Sequence, residues 1–380
     1  MSLLPLFPVT TVGSWPRPPE LLRAQRLRQK GEMGEEEFNK LADDAVLKVL
    51  RLQDEAGVDM VTDGEQRRDN FYSFVATKME GIKLMTLAEM LDLVEDKVSF
   101  ERILRTLDVP SYSISNATCI GKVKRARPLA VQELKFVRQH THKPVKVTLP
   151  GPYLMTRSMY LPSVSSKVYR TKEDLGEDVI VTLREEIYEL MEQGADFIQF
   201  DEPVLTELVF TQGQTRTFMC AALAARKDPA EELEFAVSLI NRVVDGFHRS
   251  RLGMHICRGN WSQDEATLLR GSYHPLLKYL ERMKVQQLVL EYATERAGDI
   301  LHFEGKELGL GVVNPRTENI ESVEEIKQSI ERALRIYPPD KVWLNPDCGF
   351  SSFSNRPVNS SDIAFRKLKN IVAAAHSLRT

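Results

Sequence analysis

Eight short apolar, β-branched runs, each closed by Gly, Pro, Asp or Asn and separated by helix-forming sequence, set the strongest limit on how this chain folds. They cover residues 10–14, 58–64, 145–152, 196–203, 252–257, 287–291, 308–314 and 342–348. Strands that alternate with helices build a parallel sheet, and eight of them suffice to close it. Helical spacing of apolar residues predicts helices over 35–56, 175–193, 229–247, 322–335 and 362–378, and Ser322 with Glu325 forms a capping box for the fourth. The expected fold is α/β, a single (β/α)8 TIM barrel spanning residues 1–380 as one domain, because such barrels run to ~250 residues before insertions. Two connections exceed ordinary loop length. Residues 65–143 follow the second strand and are expected to contain helix and a hairpin around 112–122. Residues 204–228 follow the fourth, and both insertions are expected over the barrel mouth.

Composition narrows the function classes. The 380 residues are 42% hydrophobic and 28% charged, with a net charge of −3, so nothing in the balance of charge argues for nucleic acid or a membrane surface as partner. A small-molecule substrate is favoured. The basic run Lys122–Arg127 has no interleaved aromatics and reads as a solvated strand and turn. The first residues lack a basic region and are broken by prolines, and no run approaches ~20 apolar residues, so a cytoplasmic protein is expected. Cys119, Cys220, Cys257 and Cys348 are too few and too widely spaced for a disulfide framework.

The chemistry collects at the C-terminal ends of the strands, where a barrel builds its active site. His255 and Cys257 are two apart and point to one side of their strand, and Cys348 sits in Asn-Pro-Asp-Cys-Gly at the exit of the eighth. An imidazole and two thiols at one rim read as a zinc site, soft and electron-rich enough to hold a substrate thiol as thiolate. Glu291 ends the sixth strand and is either the fourth ligand or an acceptor paired with Arg296; a three-ligand site with an open position is the alternative. Glu65 and Asp201–Glu202 follow the second and fourth strands, where they either cap helices and pair with arginines or converge on an ammonium group. The turn of Val12, Gly13 and Ser14 offers backbone N–H groups and a hydroxyl to a carboxylate. Zinc for sulfur, acids for ammonium and a turn for carboxylate describe a thiol amino acid.

In their order along the chain, Thr11–Arg17 (Thr-Val-Gly-Ser-Trp-Pro-Arg), Asp63-Gly-Glu65, Leu149-Pro-Gly-Pro152, Phe200-Asp-Glu-Pro203, His255-Ile-Cys257, Glu291 and Asn345-Pro-Asp-Cys-Gly349 resemble the cobalamin-independent methionine synthase family. The resemblance spans almost the whole chain and implies the catalytic C-terminal barrel alone, as in the short forms, of the methionine synthase/uroporphyrinogen decarboxylase type. It implies His255, Cys257, Glu291 and Cys348 as zinc ligands and Val12–Ser14, Glu65 and Asp201 as homocysteine contacts. Two departures concern the methyl donor. Folate-using members carry a tryptophan shortly after the Gly-Pro motif, which residues 151–158 lack. They also place a histidine after the seventh strand as proton donor to the leaving nitrogen, where this chain has Arg316, a poor general acid. A methylated corrinoid carrier protein fits that site better as donor, since its cobalt leaving group takes no proton.

The expected reaction is methyl transfer to homocysteine by direct displacement, with Glu291 able to yield its place to the incoming sulfur and Asp347 either orienting a ligand or capping a helix. The alternative is another zinc alkyltransferase of this barrel, such as the epoxyalkane:coenzyme M transferases that the short forms also resemble. Arg316, Arg258 or Arg157 would then bind a sulfonate, and Glu65 and Asp201 would face an anion with no ammonium to neutralise. A decarboxylase or a non-catalytic barrel gives no reason for the intact ligand set. The 204–228 insertion suits either a lid or an interface of a homo-oligomer.

Overall fold

The computed structural model describes residues 4–93, 115–210, 228–265 and 268–379. Among them, strands β1 (Met79–Thr86) and β2 (Ser115–Arg125) form an antiparallel pair. Strands β3 (Lys146–Pro150), β4 (Phe197–Asp201), β5 (Arg251–Ile256), β6 (Gln287–Leu290), β7 (Glu307–Val313) and β8 (Val342–Pro346) lie in that order in a parallel sheet. Two further segments complete the ring: Val9 bridges Leu344, Thr10 bridges Met60, and Val61 bridges Val145. Thr10 N donates to Leu344 O at 3.1 Å, Met60 N to Val9 O at 3.3 Å and Lys146 N to Val61 O at 2.9 Å. The first two expected strands are therefore staves of one or two paired residues. Pro8 has no N–H to pair, and the chain already turns at Gly13 and Gly64.

The interior follows from strand alternation. Met60, Phe197, Val289 and Trp343, one from each even stave, pack together with Val12 in a cluster of their own, the layered filling typical of these barrels. Above it the inward positions turn polar, with Thr62, Gln199 and Asn345 buried, and above those stand Asp201, His255, Glu291 and Asp347. A second, much larger apolar core lies between the sheet and its helices. Its helices include Glu35–Ala56, Lys172–Glu192, Pro229–Val244, Val323–Leu334 and Ser361–Leu378, close to the periodicity-based expectations.

The 65–143 connection differs from expectation. The hairpin expected around 112–122 is instead the pairing of β2 with β1 across a long connection, because the partner strand lies upstream and no tight local turn is involved. This arm is anchored on the barrel's flank: Asn116 Nδ2 donates to Ser158 O at 2.8 Å and Ser165 Oγ to Cys119 O at 2.8 Å. The basic run is part of that anchor, with Lys122 on Asp178 at 2.6 Å and Arg125 on Glu186 at 2.7 Å. The second insertion opens with the helix Val204–Phe210; residues 211–227, with Cys220, lie outside the described residues. Cys119, Cys257 and Cys348 are unpaired and buried. Among the described residues no helix is long and apolar enough to cross a membrane.

Phe197 fills space that Gly253 on the adjacent β5 leaves open, since a Cβ at Gly253 would lie 2.5 Å from the ring. The ring is fully buried and packs edge-on against Trp343 with centroids 6.0 Å apart, so it has nowhere to retreat. Gly253→Ala is expected to destabilise by about 1–3 kcal/mol through overpacking, read as a lower denaturant midpoint. An unchanged midpoint would show that the interior can repack.

Candidate active site

The parallel register sets Asp201 of β4 directly beside His255 of β5, both pointing into the ring. Cys257 follows β5 by one residue, and Cys348 leaves β8 beyond Pro346 and Asp347. Their ligand atoms, one each from His255, Cys257 and Cys348, lie within 4.8 Å of one another, and all three residues are buried. His255 Nδ1 is 2.9 Å from Asp201 Oδ1. A carboxylate on one ring nitrogen keeps the proton there and leaves the lone pair of Nε2 for a metal, the usual support of a ligating histidine.

The three groups shift one another's protons in opposite directions. Burial disfavours a charged His255, but its hydrogen bonds to Asp201 and Cys348 outweigh this and push its pKa up to about 10. Of the two thiols Cys348 carries the thiolate, lowered to about 5 chiefly by the hydrogen bond from Cys257 and then by His255, against its burial. Cys257 is pushed well up by that same bond and by burial. One histidine ring and two cysteine sulfurs, whose protons a cation can replace, form a donor set that suits Zn²⁺.

Glu291, expected as fourth ligand, is not brought into this group. Its carboxylate is held by Arg258 at 3.2 Å and Arg296 at 3.1 Å, and Asn260 Nδ2 also donates to it. Two buried cations and an amide hold it, the pairing that its proximity to Arg296 in sequence also allowed. Arg316 stands one layer further back. Its Nε donates to Asn260 Oδ1 at 3.0 Å and it pairs with Glu265. Asp347 Oδ1 accepts the N–H groups of Tyr292 and Ala293 at 2.9 Å each, pinning the loop after Glu291 rather than capping a helix.

The cluster opens on a cavity of about 440 Å³ including its mouth, lined by Val12, Ser14, Glu65, Asp201 and the three ligands on its polar side. Gly13 lets Glu65 lie close: a Cβ there would fall 2.5 Å from Glu65 Oε1. Glu65 adopts φ 54°, and its Oε1 accepts from Thr148 Oγ1 at 2.8 Å, while among the described residues its Oε2 finds no hydrogen-bond partner. Ser14 Oγ accepts from Ser351 N at 3.3 Å and keeps its own O–H to give. Glu202 does not join the pocket. It accepts from Tyr153 N at 2.7 Å and Leu154 N at 3.0 Å, capping the helix Pro152–Met159 instead.

Sequence reasoning missed the aromatic wall. Phe71, Trp261 and Phe353 line the cavity with Asn260, and Phe71 meets Phe353 edge-on with centroids 6.3 Å apart. The available signal was Trp261, four residues beyond Cys257. Among the described residues lining the cavity there is no arginine or lysine.

A parallel barrel with imidazole, two thiols and two carboxylates converging at its C-terminal rim defines an enzyme that handles a small polar molecule through sulfur-rich chemistry. The profile described as the cobalamin-independent synthase catalytic domain matches residues 7–377, and the chain belongs to that family, whose methionine synthase members make it a methyltransferase. It is 31% identical over 384 residues to the methionine synthase of Saccharolobus solfataricus, covering 100% of this chain and 97% of that one. To the methionine synthase of Pyrococcus furiosus it is 28% identical over 380 residues, 99% of this chain and 94% of the other. The fold resembles a B12-independent methionine synthase from a Shewanella species, solved in complex with selenomethionine. There the TM-score is 0.73 at 24% identity, with 98% of each chain covered.

Glu65 carries a pH signature. Burial raises its pKa from 4.5 to about 7, with Asp201 adding to the shift and Arg68, Arg17 and Thr148 opposing it. The folded protein therefore binds this proton more tightly than the unfolded chain. Its contribution to stability is fully present below about pH 4.5 and is lost as pH rises through about 7. Glu65→Gln removes that loss, so the variant is expected to gain on the substrate-free wild type between pH 5 and 8, by on the order of 2–3 kcal/mol at the upper end. Parallel thermal melts across that range test this, and a stability difference that does not vary with pH would contradict it.

Proposed function

We propose that the chain is a zinc-dependent methyltransferase that methylates the thiol of homocysteine to give methionine. The observation that carries this reading is one cavity with His255, Cys257 and Cys348 on one wall, Glu65 and Asp201 beside them, and no arginine or lysine among its described lining residues. His255, Cys257 and Cys348 would hold the zinc, which would lower the pKa of a substrate thiol, and the two cysteine sulfurs would keep the sulfur nucleophilic.

The chain's own residues do the rest. Asp201 fixes the tautomer of His255. Glu65 Oε2, buried and unpartnered, takes the ammonium group, and ionisation of Glu65 is favoured when that charge arrives. Ser14 and the N–H groups of its turn take the carboxylate. Phe71, Trp261 and Phe353 exclude water and bring the donor's methyl carbon into line with the sulfur. The thiol proton leaves to solvent, the S–CH₃ bond forms as the bond from methyl to its carrier breaks, and the electron pair departs with the carrier. With Glu291 held by Arg258 and Arg296, the metal would be held by His255, Cys257 and Cys348.

The coenzyme M reading loses support from the same geometry. Arg157 pairs with Glu207 at 3.2 Å, Arg258 pairs with Glu291 and lies 3.9 Å from the centre of the Tyr273 ring, and Arg316 serves Asn260 and Glu265. None of the three lines the cavity, so a sulfonate would meet carboxylates without a counter-charge. For the donor, Trp261 offers the indole that residues 151–158 lack, which leaves protonation of the leaving group as the discriminating step. Arg316 is unsuited to it, and a methylcorrinoid protein is the donor this reading favours over a folate.

Titration calorimetry of the zinc-loaded protein is expected to show homocysteine binding with release of a proton, lost on metal removal, and no binding of coenzyme M; the reverse preference would overturn the assignment of Glu65 and Asp201. Cys348→Ser is expected to weaken zinc by more than roughly 100-fold, beyond what loss of a ligand's supporting partner does, and to abolish methyl transfer while the barrel stays folded. Full transfer by a zinc-depleted Cys348→Ser protein would contradict the mechanism.

A further inference from the structure

Lys146 is a lysine inside the barrel. It is the first residue of β3, and its side chain, 2% exposed, points into the ring with Nζ 5.3 Å from the centre of the Phe197 ring. Burial pushes its pKa down to about 7 even though Asp201 and Glu65 oppose the shift. A methionine would fill the same space without that penalty. What the lysine does is visible in its hydrogen bonds. Nζ donates to Gln199 Oε1 at 3.1 Å. Gln199 Nε2 donates to Asp201 Oδ1 at 2.9 Å and to Val12 O at 2.9 Å. Asp201 Oδ1 in turn faces His255 Nδ1 at 2.9 Å.

The direction of this chain is forced. Val12 O and the Asp201 carboxylate accept from Nε2 while the Lys146 amine donates to Oε1, so all three partners agree on which end of the Gln199 amide faces the barrel floor. One of its hydrogens holds the backbone of the substrate turn at Val12, and the other holds Asp201. We propose that Lys146 and Gln199 are positioning residues that set the orientation of Asp201, and through it the tautomer and aim of the metal-binding His255, in register with the 12–14 turn. The proposal rests on the zinc reading above. Lys146 touches neither substrate nor metal and acts wholly through the amide it orients. Without it the buried Oε1 of Gln199 loses its donor, and the amide is held from its Nε2 side alone by Val12 O and Asp201 Oδ1.

The test is made on the whole chain. Zinc affinity is measured by competition with a chromogenic chelator, and the cobalt-substituted protein is read by its visible absorption, which reports ligand geometry directly. Lys146→Met keeps the volume and is expected to weaken zinc about 10- to 100-fold, the range for loss of a ligand's support, and to alter the cobalt bands. Its melting temperature is expected to hold or rise, whereas a merely space-filling lysine would change the melt and leave both metal readouts alone. Gln199→Glu provides a second arm, since it keeps an acceptor for Lys146 but removes the N–H to Asp201, and it is expected to show the same metal defect. Wild-type zinc affinity and an unchanged cobalt spectrum in either folded variant overturn the proposal. A wild-type protein that takes up no zinc overturns the metal reading and this proposal with it.

Discussion

Asp201 Oδ1 receives two hydrogen bonds, one from Gln199 and one from His255, and the working end of the molecule depends on that shared oxygen. It is possible only because β4 and β5 are parallel and in a register that puts residues 201 and 255 side by side. A one-residue slip would turn every inward side chain outward. It would exchange Asp201 for Glu202, which points to the helix Pro152–Met159, and would send His255 into the apolar layer under the helices. The barrel's alternation and the chemistry at its rim are thus one constraint seen at two scales.

Around that oxygen the buried charges are sorted by side. Arg258 and Arg296 hold Glu291 and Arg316 reaches Asn260 and Glu265, while Glu65 and Asp201 face the cavity with no arginine or lysine among its described lining residues. The separation gives the pocket a negative wall facing its substrate and keeps positive charge from competing with a bound metal. It also explains why the Glu291 carboxylate is taken up by Arg258 and Arg296. Ligand type and strand position said that it was able to bind metal. Its actual neighbours are set by loops that begin at Arg258 and Arg296, and no short motif encodes their convergence.

The legible parts of this molecule were those governed by short-range periodicity. All five expected helices are found, and six of the eight expected strands are full strands in the parallel sheet. The first two are shortened to bridges because Pro8, Gly13 and Gly64 interrupt them. His255, Cys257 and Cys348 were legible because strand ends in a barrel share one rim. Asp201 and Glu202 differ only in parity, and the alternation that runs through Phe197 and Gln199 already told which of them faces inward. The aromatic wall had no comparable signal: Phe71, Trp261 and Phe353 come from three separate loops, and nothing in their spacing says that they meet. Lys146 was visible as a charge set into Val-Lys-Val-Thr, a break in the apolar pattern whose meaning needed Gln199 beside it.

The ring is closed by its most distant parts. Val9 pairs with Leu344, and Phe350 N donates to Ser14 O at 2.9 Å, so the stave that carries the substrate turn has no neighbour on one side until β8 exists. The third ligand, Cys348, lies just beyond that same strand. During synthesis the chain can assemble β3 through β7 and their helices early, but the loop from residue 9 to residue 344 closes last and bears the largest closure entropy. A nascent chain therefore carries His255 and Cys257 with no third donor and an unfinished pocket. On the zinc reading proposed above, metal capture would coincide with topological closure, and a chain truncated before Cys348 lacks the third donor and the closing strand's exit alike.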